Sequence, residues 1–176
     1  GVDALTGGAG MDTFNAGNAG NTAAAQTFNT TDVLDGGDGS DTLAVTVGAA
    51  TTYQMNNVSN IETVDATYPA AGTLSLLGSS GVTSVNSNGS TAAAVFTNIG
   101  STDVALETTS TNQNATFTFA AAAVAGSADT ATLTLNGQTA GTNTIAGVET
   151  LNIVSSGAAN ALTALTAAAA STLNIS

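Results

Sequence analysis

Aspartates crowd into one short stretch of this chain. Asp35, Asp38 and Asp41 fall within seven positions of the segment LDGGDGSDTL, residues 34–43. The whole chain has 12 acidic residues and no lysine, arginine or histidine, so its formal net charge is −12. An unpaired charge is costly to bury, and no basic side chain is available to neutralise these carboxylates. They must therefore be hydrated, hydrogen-bonded or bound to a cation from outside the chain.

The glycines and aspartates follow a nine-residue pattern. GGAGMDTFN (7–15) and GGDGSDTLA (36–44) both match G-G-x-G-x-D-x-U-x, where U is a large hydrophobic residue. This nonapeptide is typical of calcium-binding parallel β-rolls. Asp3 and Asp32 each lie nine residues before the aspartate of a full unit, Asp3 in an incomplete unit and Asp32 in one without the glycines.

The residue types of the unit suit a hard cation. Glycine lets the backbone adopt positive φ and approach a metal closely. Glycine carbonyls and aspartate carboxylates together supply the oxygen ligands that Ca²⁺ prefers. The predicted carboxylate ligands are Asp3, Asp12, Asp32 and Asp41. Asp35 and Asp38 are weaker candidates, and Asp38 would ligate through its carbonyl. The alternative is a turn rich in glycine and aspartate whose carboxylates are solvated.

The last three positions of each unit predict a short β-strand. Two units make one coil, so equivalent aspartates of successive coils would stack with a cation between them. The hydrophobic residue of each strand would point into the roll; these residues are Leu5, Phe14, Leu34 and Leu43.

A longer repeat follows this region. SDTLAVTVGA (40–49) resembles ADTATLTLNG (128–137), and VSNIETVDA (58–66) resembles IAGVETLNI (145–153), at offsets of 88 and 87 residues. Further short runs alternate hydrophobic and polar residues between turn residues, which suits a solenoid or a sandwich. Valine, leucine and isoleucine would face inward, and threonine, serine and asparagine would form ladders on the outside.

Two segments depart from the strand pattern. AGNAGNTAAAQTFNT (16–30) is small and polar and interrupts the nonapeptides, so we predict a surface loop inserted there. A short helix is an alternative for ANALTALTAAAA (159–170), because Leu162 and Leu165 lie three residues apart.

The missing residue types exclude several classes of function. Phosphate recognition needs lysine and arginine, so nucleic acid is excluded as a partner. Catalytic groups built on histidine, cysteine or lysine are excluded too. A carboxylate pair for glycoside hydrolysis is the remaining catalytic option, with candidates Glu62, Glu107 and Glu149. The repeated I/V-E-T-U motif instead indicates a structural role for its glutamates, solvated or turn-stabilising. Turn or capping roles are expected for Asp65, Asp103 and Asp129.

From residues 1–176 we expect neither a membrane span nor a signal peptide. No apolar run reaches the roughly 18 residues of a membrane helix, and no basic segment precedes an apolar one at the start of the sequence. The chain begins inside the repeat pattern without a methionine. We therefore expect it to be part of a longer protein.

The nonapeptides resemble those of the RTX (repeats-in-toxin) proteins, which type I secretion exports. Together with VSNIETVDA (58–66), GVTSVNSNGSTAA (81–93) and IAGVETLNIVSSGAA (145–159), they are similar to the S-layer-RTX family, the Caulobacter-type surface-layer proteins. The resemblance implies calcium-loaded coils beside a β-solenoid that carries the I-E-T-U motif. It implies calcium ligands at the carboxylates of Asp3, Asp12, Asp32 and Asp41 and at the carbonyls of Gly7, Ala9, Gly36 and Asp38.

These observations predict an all-β, right-handed parallel β-solenoid, with a calcium-binding β-roll at 1–44 and further solenoid at 45–176. We expect a structural, non-enzymatic part of a secreted surface layer (S-layer) on a bacterial cell. Ca²⁺ would complete the fold of 1–44 and let acidic copies approach one another in a lattice or filament. Other regions of the protein would contact cell-surface polysaccharide. The alternatives are an RTX adhesin or biofilm-matrix filament, which shares every calcium argument, and a β-helical carbohydrate-active enzyme.

Overall fold

The computed structural model describes residues 1–48 and 51–176, and they form an all-β solenoid of about 7 turns. Helical structure in this part of the chain consists of the short 3-10 turns Ala23–Ala25 and Ala121–Val124. The strands are β1 (Ala4–Thr6), β2 (Thr13–Ala16), β3 (Val33–Asp35), β4 (Thr42–Thr46), β5 (Thr52–Gln54), β6 (Val58–Ser59), β7 (Thr63–Thr67), β8 (Gly72–Ser75), β9 (Ser84–Asn88), β10 (Ala94–Ile99), β11 (Ala105–Thr109), β12 (Ala115–Phe119), β13 (Thr130–Asn136), β14 (Thr142–Ala146), β15 (Thr150–Ser156), β16 (Ala164–Thr166) and β17 (Thr172–Ile175). The predicted all-β solenoid class is confirmed.

The strands stack into three parallel sheets. An eight-stranded sheet has the order β2-β4-β7-β9-β11-β13-β15-β17, and a six-stranded sheet has the order β5-β8-β10-β12-β14-β16. A three-stranded sheet, β1-β3-β6, covers the first coils. Each coil thus adds one strand to the long sheet, and paired strands of successive coils lie about 4.8 Å apart.

The length of each coil is set by the strand pairing. Thr42 pairs with Thr63, so this coil has 21 residues, whereas Thr13 pairs with Thr42 and the first coil has 29. Residues 17–27 form an inserted loop in the first coil, closed where the N–H and hydroxyl of Thr27 donate to the Gly17 carbonyl at 3.1 and 2.9 Å. Without these 11 residues the first coil has 18, which equals two nonapeptide units.

Alternating side chains fill a narrow core. The rings of Phe96 and Phe117 stack on adjacent coils with centroids 5.3 Å apart, and Tyr68 meets Phe96 edge-on at 5.4 Å. Aromatic pairs of this kind add about 0.5–1.5 kcal/mol beyond their buried area. Leu34 and Leu43 are buried, as the nonapeptide pattern predicts. Leu5 is 50% exposed, because it lies in the first strand of the stack.

Polar side chains form the predicted ladders outside the core. One column of the six-stranded sheet contains Thr52, Thr73, Val95, Thr116, Thr144 and Thr166. In the long sheet the Asn174 side-chain amide donates to Asn152 Oδ1 at 2.8 Å. These columns follow from parallel in-register stacking, which places like residues over one another.

The two atypical segments differ from the sequence expectations. Ala16 is the last residue of β2, and Phe28 is only 2% exposed, so the inserted surface loop is confined to residues 17–27. Phe28 is buried because its ring packs into the core beside the open first coil. The alternative of a short helix within 159–170 is wrong, because Ala164–Thr166 is a strand that extends the six-stranded sheet.

The longer repeat corresponds to a repeated pair of strands. Its first copy contains the neighbours β4 and β7, and its second copy contains the neighbours β13 and β15. Residue 49, the last of the segment 40–49, lies outside the described residues. Both strand pairs belong to the eight-stranded sheet, so the sequence repeat is a structural repeat as well.

Candidate metal centre

Two glycine-rich loops lie directly over one another at one corner of the solenoid. Loop 7–12 joins β1 to β2, and loop 36–41 joins β3 to β4. Ala9 and Asp38 form a parallel bridge between them. The Gly10 N–H donates to the Asp38 carbonyl at 2.8 Å, and the Asp38 N–H donates to the Gly8 carbonyl at 3.0 Å. Equivalent positions of the two nonapeptides are therefore stacked one coil apart.

The aspartate of each loop turns back toward its own glycines. Asp12 Oδ2 accepts the Gly8 N–H at 2.6 Å. Asp41 is fully buried, and its Oδ1 accepts the Asp12 N–H at 2.7 Å. Asp41 Oδ2 is buried with no hydrogen-bond partner among the described residues. A buried, unpartnered carboxylate oxygen is costly, so this atom marks the centre of the candidate site.

Glycine is required where the loop backbone meets these oxygens. A Cβ atom placed on Gly36 would have both Asp41 Oδ2 and the Asn60 carbonyl oxygen within 2.5 Å. A Cβ atom on Gly7 would likewise have Asp12 Oδ2 and the Gly36 carbonyl oxygen within 2.7 Å. Each pair of oxygens can only accept hydrogen bonds. The two acceptors in each pair repel one another unless a cation or a donor comes between them.

Asp3 and Asp32 form a second pair. The Asp3 N–H donates to Asp32 Oδ1 at 3.0 Å, and the Asn29 N–H donates to Asp32 Oδ2 at 2.7 Å. Asp32 is only 3% exposed, but both of its oxygens accept backbone hydrogens. Asp3 is exposed. This pair lacks the flanking glycines, and its buried carboxylate is satisfied, in contrast to that of Asp41.

Glu62 continues the aspartate column into the next coil. Thr13, Thr42 and Thr63 pair in register, so the preceding residues Asp12, Asp41 and Glu62 occupy successive coils. Glu62 Oε2 accepts the Asp41 N–H at 2.7 Å, which is a turn-stabilising role. The repeated I-E-T-U motif was the signal for this role, but the spacing of the nonapeptides did not point to Glu62.

Electrostatic repulsion is concentrated in this column. Two like charges about 5 Å apart repel by about 3 kcal/mol at an effective dielectric constant of about 20. The chain has no lysine, arginine or histidine to offset it. A divalent cation beside the column would lower this repulsion directly.

The oxygen atoms at this corner suit Ca²⁺ if backbone carbonyls supply most of the ligands. Carboxylate and carbonyl oxygens are the ligands that Ca²⁺ prefers. Among the described residues, however, no three carboxylates come together in a group that could hold a metal ion. Carbonyl oxygens of the stacked loops would therefore complete the coordination, with Asp12 and Asp41 as the charged ligands of that corner.

The other acidic residues have separate environments. Asp35 accepts the Gly37 N–H at 3.2 Å and the Asn60 amide at 2.8 Å. Glu107 lies on the outer face of β11 and accepts the Asn136 amide at 3.2 Å. Hydrogen bonds thus account for these two carboxylates.

Comparisons with known proteins do not assign the chain. No protein family matches the sequence, and no curated protein matches it either. Among the described residues, no helix has the length and apolar character needed to cross a membrane.

Proposed function

We propose that this chain is a calcium-stabilised structural part of a secreted bacterial surface layer. The observation that carries the calcium part is Asp41 Oδ2, which is buried without a hydrogen-bond partner among the described residues, in a chain with no basic side chain. The backbone around the stacked glycine loops supports it, because the Gly36 carbonyl oxygen lies near the Asp12 carboxylate and the Asn60 carbonyl oxygen lies near the Asp41 carboxylate. Ca²⁺ would relieve the repulsion among these oxygens.

Calcium would act as a folding switch at the cell boundary. Extracellular calcium modules bind with Kd of about 10⁻⁴–10⁻³ M. At a concentration about tenfold above Kd, each site adds about 1.4 kcal/mol to the free energy of unfolding, and at far lower concentrations this term is near zero. The first coils would then remain labile inside the cell and become stable after secretion.

The surface-layer part rests on the resemblance to S-layer-RTX proteins and on the net charge. A surface with a charge of −12 repels other copies of itself. Cations bound at the acidic corner would reduce this repulsion and favour assembly of copies into a lattice. The solenoid is compatible with this role, although the same fold serves other functions.

Thermal unfolding and electron microscopy test the proposal together. Added Ca²⁺ should raise the melting temperature relative to excess chelator, and an equal concentration of Mg²⁺ should raise it less because Mg²⁺ releases its water ligands reluctantly. Microscopy of the same samples should show two-dimensional sheets with Ca²⁺ and dispersed protein in chelator.

Each unfavourable outcome has a distinct meaning. A melting temperature and an assembly state unchanged by chelator would refute the calcium role. Isolated calcium-dependent fibres would retain the calcium role and replace the surface layer with an adhesin or matrix filament.

A further inference from the structure

The corner around Asp41 has a defined hydrogen-bond pattern over three coils. The Asp41 N–H donates to Glu62 Oε2 at 2.7 Å, and the Asp41 carbonyl accepts the N–H groups of Glu62 and Thr63 at 3.1 and 3.0 Å. The Glu62 carbonyl in turn accepts the N–H groups of Thr83 and Ser84 at 2.8 and 2.9 Å. It also accepts the Thr83 hydroxyl at 3.3 Å. We call this arrangement the first carboxylate corner.

The same pattern recurs near the other end of the solenoid. The Asp129 N–H donates to Glu149 Oε2 at 2.8 Å, and the Asp129 carbonyl accepts the N–H groups of Glu149 and Thr150, both at 3.0 Å. The Glu149 carbonyl accepts the N–H groups of Ser171 and Thr172 at 2.9 and 3.0 Å and the Ser171 hydroxyl at 3.3 Å. These six hydrogen bonds of the first carboxylate corner all have counterparts in this second carboxylate corner, whereas the bond from the Asp12 N–H to Asp41 Oδ1 has none among the described residues.

The two corners also share an unsatisfied oxygen. Asp129 Oδ2, like Asp41 Oδ2, is a buried atom with no hydrogen-bond partner among the described residues, although Asp129 as a whole is only partly buried whereas Asp41 is fully buried. A glycine again faces the carboxylate, because a Cβ atom on Gly126 would lie 2.9 Å from Asp129 Oδ1 and 3.2 Å from Oδ2. Hydrogen bonding among residues 1–48 and 51–176 therefore leaves the equivalent carboxylate oxygen unpaired in both corners.

We propose that the second carboxylate corner is a further Ca²⁺ site, which the nonapeptide pattern does not mark. Asp129 Oδ2 is its charged ligand, and Glu149 is a positioning residue that holds the Asp129 backbone and adds negative charge. The segment before Asp129 is AGSA (125–128), with one glycine where loop 36–41 has three. Fewer carbonyl oxygens can approach the ion, so this site binds Ca²⁺ more weakly than the first corner.

This inference rests on the proposed calcium chemistry but concerns a separate position. Asp41 immediately precedes β4 and Asp129 immediately precedes β13, and three strands of the long sheet lie between β4 and β13. Binding at one corner therefore does not require the other, and variants can separate the two sites.

Counting bound ions tests the second site. Native mass spectrometry and calorimetric titration with CaCl₂ should show one ion fewer per chain for Asp129→Asn than for the unaltered protein. Asp103→Asn, which neutralises an exposed aspartate, is the matched control and should leave the count unchanged. The weakest binding step should be the one that disappears, and it should survive in Asp41→Asn.

A second variant keeps the test decisive if Asp129→Asn does not fold. Glu149→Gln retains an oxygen for the Asp129 N–H and removes only the charge, so it should fold and weaken the weakest step by about tenfold, as loss of a supporting residue does. Equal ion counts and equal affinities in the unaltered protein, Asp129→Asn and Glu149→Gln would overturn the second site while leaving the proposed function standing. Absence of any Ca²⁺ binding by the unaltered protein would overturn both.

Discussion

Replacing Asp41 with asparagine should change stability in opposite directions with and without Ca²⁺. Asparagine has nearly the same shape as aspartate and removes the buried charge. Its carbonyl oxygen can still accept the Asp12 N–H, which now donates to Asp41 Oδ1 at 2.7 Å. The Asp41→Asn variant therefore isolates the effect of the unpaired Oδ2 atom.

In excess chelator, we expect Asp41→Asn to be more stable than the unaltered protein. Asp41 is 0% exposed, and its Oδ2 lies beside the Asn60 carbonyl oxygen without a donor between them. The asparagine amide nitrogen can take the place of Oδ2 and donate to that carbonyl. An unsatisfied buried polar group costs about 1–3 kcal/mol, so the free energy of unfolding should rise by about that amount.

As Ca²⁺ is added, the advantage of the variant should shrink, and the order reverses once the linkage term exceeds the gain measured in chelator. The neutral side chain is a weaker ligand, so the variant loses the linkage term of the first corner. That term is about 1.4 kcal/mol at tenfold Kd and about 2.7 kcal/mol at a hundredfold. The unaltered protein gains this stabilisation and the variant does not, so the difference between them should shrink and then change sign as Ca²⁺ is added.

Urea unfolding followed by circular dichroism, in chelator and across a CaCl₂ series, measures both effects. Asp103→Asn is the control, because it removes an exposed charge and should shift stability by less than about 0.5 kcal/mol in either condition. The reasoning fails if Asp41→Asn is destabilised in chelator and responds to Ca²⁺ as strongly as the unaltered protein does.

Three further substitutions or titrations follow from the same geometry. Gly36→Ala forces a Cβ atom into the carbonyl of the next coil and should lower the free energy of unfolding by about 1–3 kcal/mol, as overpacking does; unchanged urea unfolding would contradict the stacked loops. Glu62→Ala removes the acceptor of the Asp41 N–H and should cost about 1–3 kcal/mol, while Glu62→Gln keeps an acceptor and should cost clearly less; equal losses in urea unfolding would argue against this hydrogen bond. Complete burial raises the pKa of Tyr68 well above its usual value, and burial also raises the pKa of Tyr53. Because the folded-state pKa is raised, this contribution to stability is fully present below the unfolded-state pKa of about 10 and falls as the pH rises above that value. The phenolate of Tyr68 should therefore form only as the chain unfolds. Reversible ionisation of both tyrosines in the folded protein, followed by absorbance, would contradict the burial of Tyr68.

The sequence alone determined the class of fold and the place of the candidate metal centre. Alternation of hydrophobic and polar residues is a local property of a strand, so the inward positions of Leu34 and Leu43 and the outward threonine ladders could be predicted. The G-G-x-G-x-D-x-U-x spacing located the stacked loops for a similar reason, because this pattern is also local and its glycines and aspartate all lie within nine residues. The I/V-E-T-U repeat indicated the structural role of Glu62 and Glu149.

Only the tertiary structure decided which atoms remain unpaired and which segments are equivalent. The local donor Asn29 N–H satisfies Asp32 Oδ2. The neighbouring coil decides the rest, because it brings the Asp3 N–H to Asp32 Oδ1 and leaves Asp41 Oδ2 without a partner among the described residues. Phe28 is buried because the inserted loop closes at residues 17–27 and returns the chain to the core. The likeness of Asp129 to Asp41 depends on the coil that follows each of them. Such contacts join residues about 20 to 30 positions apart, and their pairing follows from coil length, which inserted loops change and a nine-residue period does not record.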